Sequence, residues 1–232
     1  MSNVISLAGL SNSGKSTSLK YLNPEETFII SCTNKQLQIP GFRKKYPKVT
    51  VEEGKLKGNW LVSNNYAQIE KIMKAVSKTR PEIKVICLDD CNYLLSNETF
   101  QNALTKGYEK FTVLAKNYYD FVQLTMNLRD DLTVVFISHI ENVGTEVDPE
   151  YRLWTTGKML TNAINLDGLF SYIIYSERYV SDGDNDVHYR FKTRTDGNDT
   201  CRTVAGCFAD KYIEPNMKLV IDTINKFEEN GE

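Results

Sequence analysis

The stretch Gly9-Leu10-Ser11-Asn12-Ser13-Gly14-Lys15-Ser16 decides the fold of this chain. It matches the phosphate-binding pattern G-x-x-x-x-G-K-[ST] at every fixed position. The apolar run at residues 4–8 predicts a short buried strand before it, and residues 15–22 predict the start of a helix after it. A strand, a glycine-rich turn and a helix in this order predict a P-loop. The alternative is an ordinary helix that follows a glycine-rich turn.

The spacing of this stretch suits a polyphosphate. Gly9 and Gly14 allow a tight turn and a close approach of the backbone to the ligand. The loop amides then point inward at a helix N-terminus, where anions are favoured. Lys15 is expected to reach the β and γ phosphates of ATP, and Ser16 to ligate Mg²⁺. The predicted nucleotide-binding residues are Gly9, Ser11, Asn12, Ser13, Gly14, Lys15, Ser16 and Thr17.

Length and composition are those of a soluble globular protein. The 232 residues, 41% hydrophobic and 25% charged, fit one large α/β domain or two small ones, and a single domain over 1–232 is the simpler prediction. No run approaches the roughly 18 apolar residues of a membrane span. The first residues carry no basic and apolar leader, so we expect no secretion signal and a cytoplasmic location. A net charge of −2 means that any nucleic-acid binding must come from local patches.

The five cysteines are predicted to be reduced and mostly structural. They form no C-x-x-C pair, and only two histidines are available to complete a metal site with them. A zinc site is the less favoured alternative.

A second motif lies at residues 85–90, Val-Ile-Cys-Leu-Asp-Asp, and has the form of a Walker B strand. A buried parallel strand delivers a carboxylate at its C-terminal edge, where α/β sheets place their ligands. Asp89 is therefore predicted to hold hydrated Mg²⁺ opposite Ser16. Asp90 could polarise the attacking water, or the two acids could form a solvated turn.

Further along the chain, residues 132–139 predict another buried strand that ends in Ser138 and His139. His139 is either a sensor of the γ-phosphate or a structural histidine. The polar, turn-rich residues 141–157 that follow are a candidate mobile loop.

Residues 33–58 lose periodicity and concentrate lysine and arginine. Because Phe42, Tyr46 and Trp60 are mixed among the charges, this segment could face nucleic acid. The alternative, which the sequence slightly favours, is a solvated insertion.

Three helices are predicted from apolar spacing. The first begins after Asn64 or Asn65 and ends near residue 79, and the last is capped by Pro215-Asn216 and ends near residue 229. Between them, residues 97–127 predict one long helix or two helices broken near Gly107. The apolar positions expected to pack are Tyr66, Ile69, Ile72, Met73, Val76, Phe100, Leu104, Tyr108, Phe111, Leu114, Tyr118, Phe121, Leu124, Leu219, Val220, Ile224 and Phe227.

The alternation at residues 187–192 predicts one strand of an antiparallel hairpin, joined to a strand over residues 169–175 by a turn at residues 181–186. Lys192 and Arg194 follow two residues apart and are expected to project from one face. Such a pair suits a finger that reaches the γ-phosphate of a neighbouring subunit. A solvated basic edge is the alternative.

Taken together, these segments resemble the short phage ATPases with a RecA-type core, which include Sak-type single-strand annealing proteins and recombinases. The resemblance covers residues 4–227. The P-loop and Asp89 specify only an NTPase, and the family is narrowed by the strand end at residues 136–139, by Gly157-Lys158-Met159-Leu160 and by Lys192-Thr193-Arg194-Thr195-Asp196-Gly197.

The resemblance implies a mostly parallel sheet flanked by helices, ATP hydrolysis with Mg²⁺ between subunits of a ring or filament, and binding of single-stranded DNA. It also implies Lys192 and Arg194 as a trans-acting pair, DNA-binding loops near residues 141–157 and 162–168, and association with a single-stranded-DNA-binding protein. The glutamate base of cellular RecA has no counterpart here. Two other classes remain open: a nucleotide-gated switch or loader that acts on a protein partner, and a P-loop kinase, although no arginine-rich lid is present.

Overall fold

The computed structural model describes residues 1–156, 158–181, 183 and 185–231. Its strands are β1 (Asn3–Ala8), β2 (Thr27–Ser31), β3 (Thr50–Glu52), β4 (Lys55–Lys57), β5 (Trp60–Val62), β6 (Val85–Asp89), β7 (Thr133–Ser138), β8 (Ile140–Asn142), β9 (Tyr151–Leu153), β10 (Tyr172–Val180), β11 (Val187–Lys192) and β12 (Tyr212–Ile213). Its α-helices are α1 (Phe42–Lys45), α2 (Tyr66–Thr79), α3 (Asn92–Gln101), α4 (Glu109–Met126), α5 (Lys158–Ala163) and α6 (Met217–Asn230). Short 3₁₀ helices span Ser16–Tyr21 and Asp167–Leu169.

Eight strands form one sheet in the order β12-β11-β10-β1-β7-β6-β2-β5. The strands from β10 to β5 in this order are parallel, and β11 and β12 are added antiparallel at one edge. The predicted fold class, a mostly parallel sheet with helices on both faces and a C-terminal antiparallel hairpin, is confirmed. The central strands β1, β2, β6 and β7 are buried on both faces of the sheet. Their sequences are therefore nearly continuous apolar runs, as is typical of parallel sheets.

Alternate residues of each central strand enter two cores on opposite faces of the sheet. Val134 and Phe136 of β7 join α2, α3 and α4 in one core, whereas Val135 and Ile137 join the 3₁₀ helix after β1 and α6 in the other. This period of two fixes the register of every strand relative to the helices that cover it.

Asparagine caps begin two of the predicted helices. The side chain of Asn65 accepts a hydrogen bond from the Gln68 amide at the start of α2, and Asn216 accepts one from the Leu219 amide at the start of α6. Both helix starts are confirmed. Each cap satisfies an amide that has no partner inside its helix.

Several apolar positions differ from the predicted packing. The chain between 97 and 127 forms two helices broken around Gly107, which has φ of +92°. The side chains near the break, Phe100, Leu104 and Tyr108, are exposed. Leu219 is also exposed, because α6 buries its neighbours Val220 and Ile221 instead. Helical spacing identifies apolar residues that lie on one face of a helix, but it does not show how much of that face another element covers.

Two segments predicted as irregular have regular structure. Residues 141–157 include most of the β8–β9 hairpin, whose strands are joined by a loop at residues 143–150, and Gly157 lies outside the described residues. The mobility of this loop stays a prediction. Residues 33–58 contain α1 and the β3–β4 hairpin. Phe42, Tyr46 and Trp60 belong to the core, so the prediction that these rings face nucleic acid is wrong.

The predicted turn at residues 181–186 includes Asp182 and Asp184, which lie outside the described residues. All five cysteines are buried and carry free thiols. Within the described part of the chain, no helix combines the length and the apolar character needed to cross a bilayer.

Candidate active site

The loop between β1 and the first 3₁₀ helix is tightly packed against β10. A Cβ at Gly9 would lie 2.4 Å from the carbonyl oxygen of Ser176, so only glycine fits there. The Ser176 hydroxyl donates to the carbonyl oxygen of Ser13 at 2.6 Å. Asn12 and Gly14 have φ of +60° and +92°, a left-handed conformation that glycine adopts readily and asparagine tolerates. The predicted P-loop therefore folds as a compact turn that packs against Ser176 of the neighbouring strand β10.

The ammonium group of Lys15 lies inside this loop. Its Nζ donates to the carbonyl oxygens of Gly9 and Leu10, both at 2.8 Å, and the residue is buried. Burial lowers the pKa of Lys15 to about 8, although the charges of Asp90 and Asp89 partly oppose this effect. A phosphate oxygen could replace either carbonyl as the acceptor, and its negative charge would favour the protonated lysine.

Ser16 and Asp89 are brought together from different elements. Asp89 is the last residue of β6, and Ser16 begins the 3₁₀ helix that follows the loop. The Ser16 Oγ donates to Asp89 Oδ1 at 2.7 Å. Burial, together with the charge of Asp90, raises the pKa of Asp89 to about 6. A hydroxyl oxygen beside a carboxylate is a suitable donor set for Mg²⁺, so these two residues could hold that ion.

Asp90 follows directly and has φ of +57°. Its Oδ2 accepts from Lys35 Nζ at 3.0 Å and from Thr33 Oγ1 at 3.3 Å, while His139 Nε2 lies 3.6 Å from Oδ1. Burial alone raises the pKa of Asp90, but the hydrogen bonds from His139 and Lys35 outweigh it and lower the pKa to about 2. A carboxylate with so many partners and so low a pKa is a weak proton acceptor. Asp90 in the role of the base stays a prediction.

A cavity of about 550 Å³ opens beside these groups. The predicted residues that line it are Ser11, Asn12, Ser13, Gly14, Lys15, Ser16, Thr17, Asp90 and His139. Gly9 and Asp89 contact the lining residues Lys15 and Ser16. The sequence motifs from three separate segments thus meet at the carboxyl edge of the parallel strands.

The cavity has further lining residues that were not predicted, among them Lys35 and Tyr189. Lys35 follows the end of β2, so the rule that parallel strands end at one edge could have identified it beside Asp90. Tyr189 comes from β11, and its ring lies 3.2 Å from where a Cβ on Gly14 would be. Nothing in the sequence alone indicates that this strand folds over the P-loop.

Lys192 does not form the predicted finger. It is 3% exposed and makes ion pairs with Glu177, Asp196 and Asp199. The prediction that Lys192 reaches a neighbouring subunit is corrected, because a buried ammonium surrounded by three carboxylates is already neutralised within its own chain. Arg194 lies beyond the end of β11, is exposed, and donates to the carbonyl oxygen of Ala209 at 2.6 Å. Its predicted role in trans stays a prediction.

The two segments expected to bind DNA, residues 141–157 and 162–168, are described except for Gly157. The β8–β9 hairpin projects Val143 and Val147, which are 40% and 96% exposed. Gly157 and the side chains of Lys158, Met159 and Leu160, which helped to define the sequence resemblance, lie outside the described residues.

Comparisons with known proteins do not assign a family. No protein-family profile and no curated protein matches the sequence. Among solved structures, the chain is similar to the genome-packaging NTPase B204 of Sulfolobus turreted icosahedral virus 2 in complex with ATP-γS. The TM-score is 0.39 and the identity 12%, over 85% of this chain and 78% of that chain. A likeness this distant gives no basis for assigning a function.

Proposed function

We propose that this chain is a Mg²⁺-dependent ATPase with a RecA-type core that binds single-stranded DNA and promotes annealing or strand exchange, as part of a phage or prophage recombination system acting in the bacterial cytoplasm. One observation carries the ATPase assignment. The hydroxyl of Ser16 and the carboxylate of Asp89 meet at 2.7 Å beside the buried ammonium of Lys15, at the wall of a cavity large enough for a nucleotide. The DNA-related part is supported by the sequence resemblance.

The residues present suggest how a triphosphate would be held. Lys15 exchanges its carbonyl acceptors for phosphate oxygens, while the loop amides at Ser13 and Gly14 provide further donors. Ser16 and Asp89 provide the oxygen ligands for Mg²⁺, which when bound offsets charge on the β and γ phosphates. Arg194 of an adjacent subunit is the remaining candidate to stabilise charge that develops on the transferred group.

The test is phosphate release from ATP, with and without single-stranded DNA, at low salt because such binding weakens steeply with ionic strength. We expect release to require Mg²⁺ and to increase with DNA. The Lys15→Ala variant should lose turnover by roughly two orders of magnitude or more, since it removes a preorganised phosphate contact. Lys71→Ala, the same substitution at an exposed lysine of α2 that does not line the cavity, is the control. Full turnover by Lys15→Ala would reject the site.

The contacts that occupy the Asp90 carboxylate favour a second candidate function, a nucleotide-gated switch or loader that acts on a protein partner. Asp90 is the only carboxylate among the described residues that line the cavity, and its oxygens are engaged by Lys35, Thr33 and His139. Turnover by the isolated chain should then be slow. If single-stranded DNA leaves the rate unchanged while ATP still binds, the switch is the better assignment.

A further inference from the structure

Residues 33–58, here called the basic segment, carry a charge opposite to that of the remaining chain. The segment contains seven cations and two carboxylates, a net charge of +5, whereas the whole chain has −2 and all other residues together therefore have −7. The cations are Lys35, Arg43, Lys44, Lys45, Lys48, Lys55 and Lys57. Such segregation attracts polyanions locally in spite of the overall negative charge.

These cations remain available to a ligand. All seven are exposed, and Lys35 alone is in an ion pair, with Asp90, as far as the described residues show. Lys48 places its ammonium 5.3 Å from the centroid of the Trp60 ring, which orients the side chain without neutralising it. An exposed cation without a carboxylate partner can exchange its counterions for phosphates at little cost.

A second cavity, of about 390 Å³, lies within the basic segment. It is lined by Asn34, Gln36, Arg43, Tyr46, Lys48 and Trp60. The two charged groups are both cations, and the two amides add neutral hydrogen-bond donors. This donor set matches a phosphodiester, because guanidinium, ammonium and amide groups are typical phosphate ligands in nucleic-acid interfaces. The buried rings of Tyr46 and Trp60 belong to the core and are not platforms on which a base could stack.

The loop after β2 separates this cavity from the nucleotide cavity. Asn34 and Gln36 line the second cavity, whereas Lys35 and Gln38, which alternate with them in sequence, line the first. Asn34 and Gln36 are the chain neighbours of Lys35, which donates to Asp90 at 3.0 Å. The loop provides a short physical connection between the two cavities.

We propose that the second cavity binds a phosphodiester of single-stranded DNA and that the basic segment follows the DNA backbone without reading its sequence. This inference rests on the proposed function and names the surface that its DNA partner occupies. The contact is electrostatic, and the loop at residues 33–38 links it to the nucleotide cavity.

The test uses fluorescence anisotropy of a labelled oligothymidylate of roughly 20 nucleotides, longer than the site of a typical single-strand-binding fold. The Arg43→Gln/Lys48→Gln protein is compared with wild type and with Lys106→Gln/Lys226→Gln, which changes the charge equally at exposed lysines outside the basic segment. At low salt, we expect the first variant to bind at least about tenfold more weakly. Its salt slope should decrease in magnitude by about 1.4, since each phosphate contact to a single strand contributes about 0.7.

The remaining outcomes separate the two proposals. ATP hydrolysis without DNA should be equal in all three proteins, which shows that they fold. If wild type binds the oligonucleotide and Arg43→Gln/Lys48→Gln binds it equally well, the basic segment is not the DNA surface, and the proposed function stands. An equal loss in the Lys106→Gln/Lys226→Gln control also overturns the inference, because it indicates a general charge effect. If wild type hydrolyses ATP but does not bind the oligonucleotide, both proposals fail.

Discussion

At the scale of single residues, two ionisable groups in the site have pKa values that burial moves toward neutrality. Asp89 has a pKa of about 6 and Lys15 a pKa of about 8. Magnesium binding needs the Asp89 carboxylate ionised, and phosphate binding is strongest with Lys15 protonated. Between these values both groups are in their useful form, so the site is suited to a narrow pH range.

We therefore predict a bell-shaped pH profile for kcat/KM of ATP hydrolysis. The value should rise through about pH 6 as Asp89 loses its proton and fall above about pH 8 as Lys15 becomes neutral, because kcat/KM reports ionisations of the free enzyme. The variant Asp89→Asn is tested by binding of a fluorescent ATP analogue with Mg²⁺, measured as a function of pH. Its affinity should no longer rise through about pH 6, apart from the change that ionisation of the nucleotide itself causes. An unchanged acidic limb in that variant would assign it to another group.

The raised pKa of Asp89 also affects the stability of the fold, which decreases over the pH range in which activity is expected to rise. Because the folded state raises the pKa of Asp89 above its ordinary value, the folded chain binds this proton more tightly than the unfolded chain does. The contribution of this group to the free energy of unfolding therefore decreases as the pH rises between about 4 and 6. The carboxylate that could hold the metal ion is ionised at a cost to the fold.

At the scale of elements, α1 and β5 show why the basic segment is attached firmly to the sheet. The Phe42 ring of α1 packs against the Trp60 ring of β5, with centroids 5.0 Å apart, and both side chains are buried. Arg43, next to Phe42, is exposed. Apolar anchors and exposed cations thus alternate along the chain, and the anchors determine where the cations lie.

This arrangement predicts that Phe42 contributes to stability and does not contact DNA. The Phe42→Ala variant should lose roughly 3–5 kcal/mol in the free energy of unfolding, measured with urea, because it leaves a cavity in the core. Phe100→Ala, the same substitution at a side chain that is 75% exposed, should change it by less than about 1 kcal/mol. Conversely, weaker oligonucleotide binding by Phe42→Ala with unchanged stability would restore the base-stacking interpretation.

The elements also show how far the sequence alone could lead. The P-loop, Asp89 and the central strands follow from local patterns, since a glycine turn and continuous apolar runs have few alternative structures. The environment of Lys192 could not be predicted, because alternation along β11 gives two faces without showing that Glu177, Asp196 and Asp199 surround one of them. The position of Tyr189 over Gly14 likewise depends on the parallel pairing of β10 with the distant strand β1, which brings the β10–β11 hairpin beside the P-loop.

At the scale of the whole molecule, the sheet places the two cavities on either side of one loop. The nucleotide cavity lies where β1, β6 and β7 end, and the basic segment connects β2 to the edge strand β5. If DNA and nucleotide each favour the same position of this loop, each must tighten the binding of the other by the same factor. The fold thus offers a route by which DNA could influence hydrolysis within one chain.

Assembly would add a second route, through Arg194. This exposed residue follows β11, and its guanidinium donates to the carbonyl oxygen of Ala209. If it completes the site of a neighbouring subunit, Arg194→Ala should bind ATP normally but lose hydrolysis. Mixing it equally with Lys15→Ala should restore roughly a quarter of wild-type activity in a head-to-tail assembly, since an active interface needs one subunit of each kind in a fixed order. Activity is measured as phosphate release from the mixture against each variant alone. A mixture that remains as inactive as its components would place Arg194 outside the reaction and leave DNA-dependent control to the loop between the cavities.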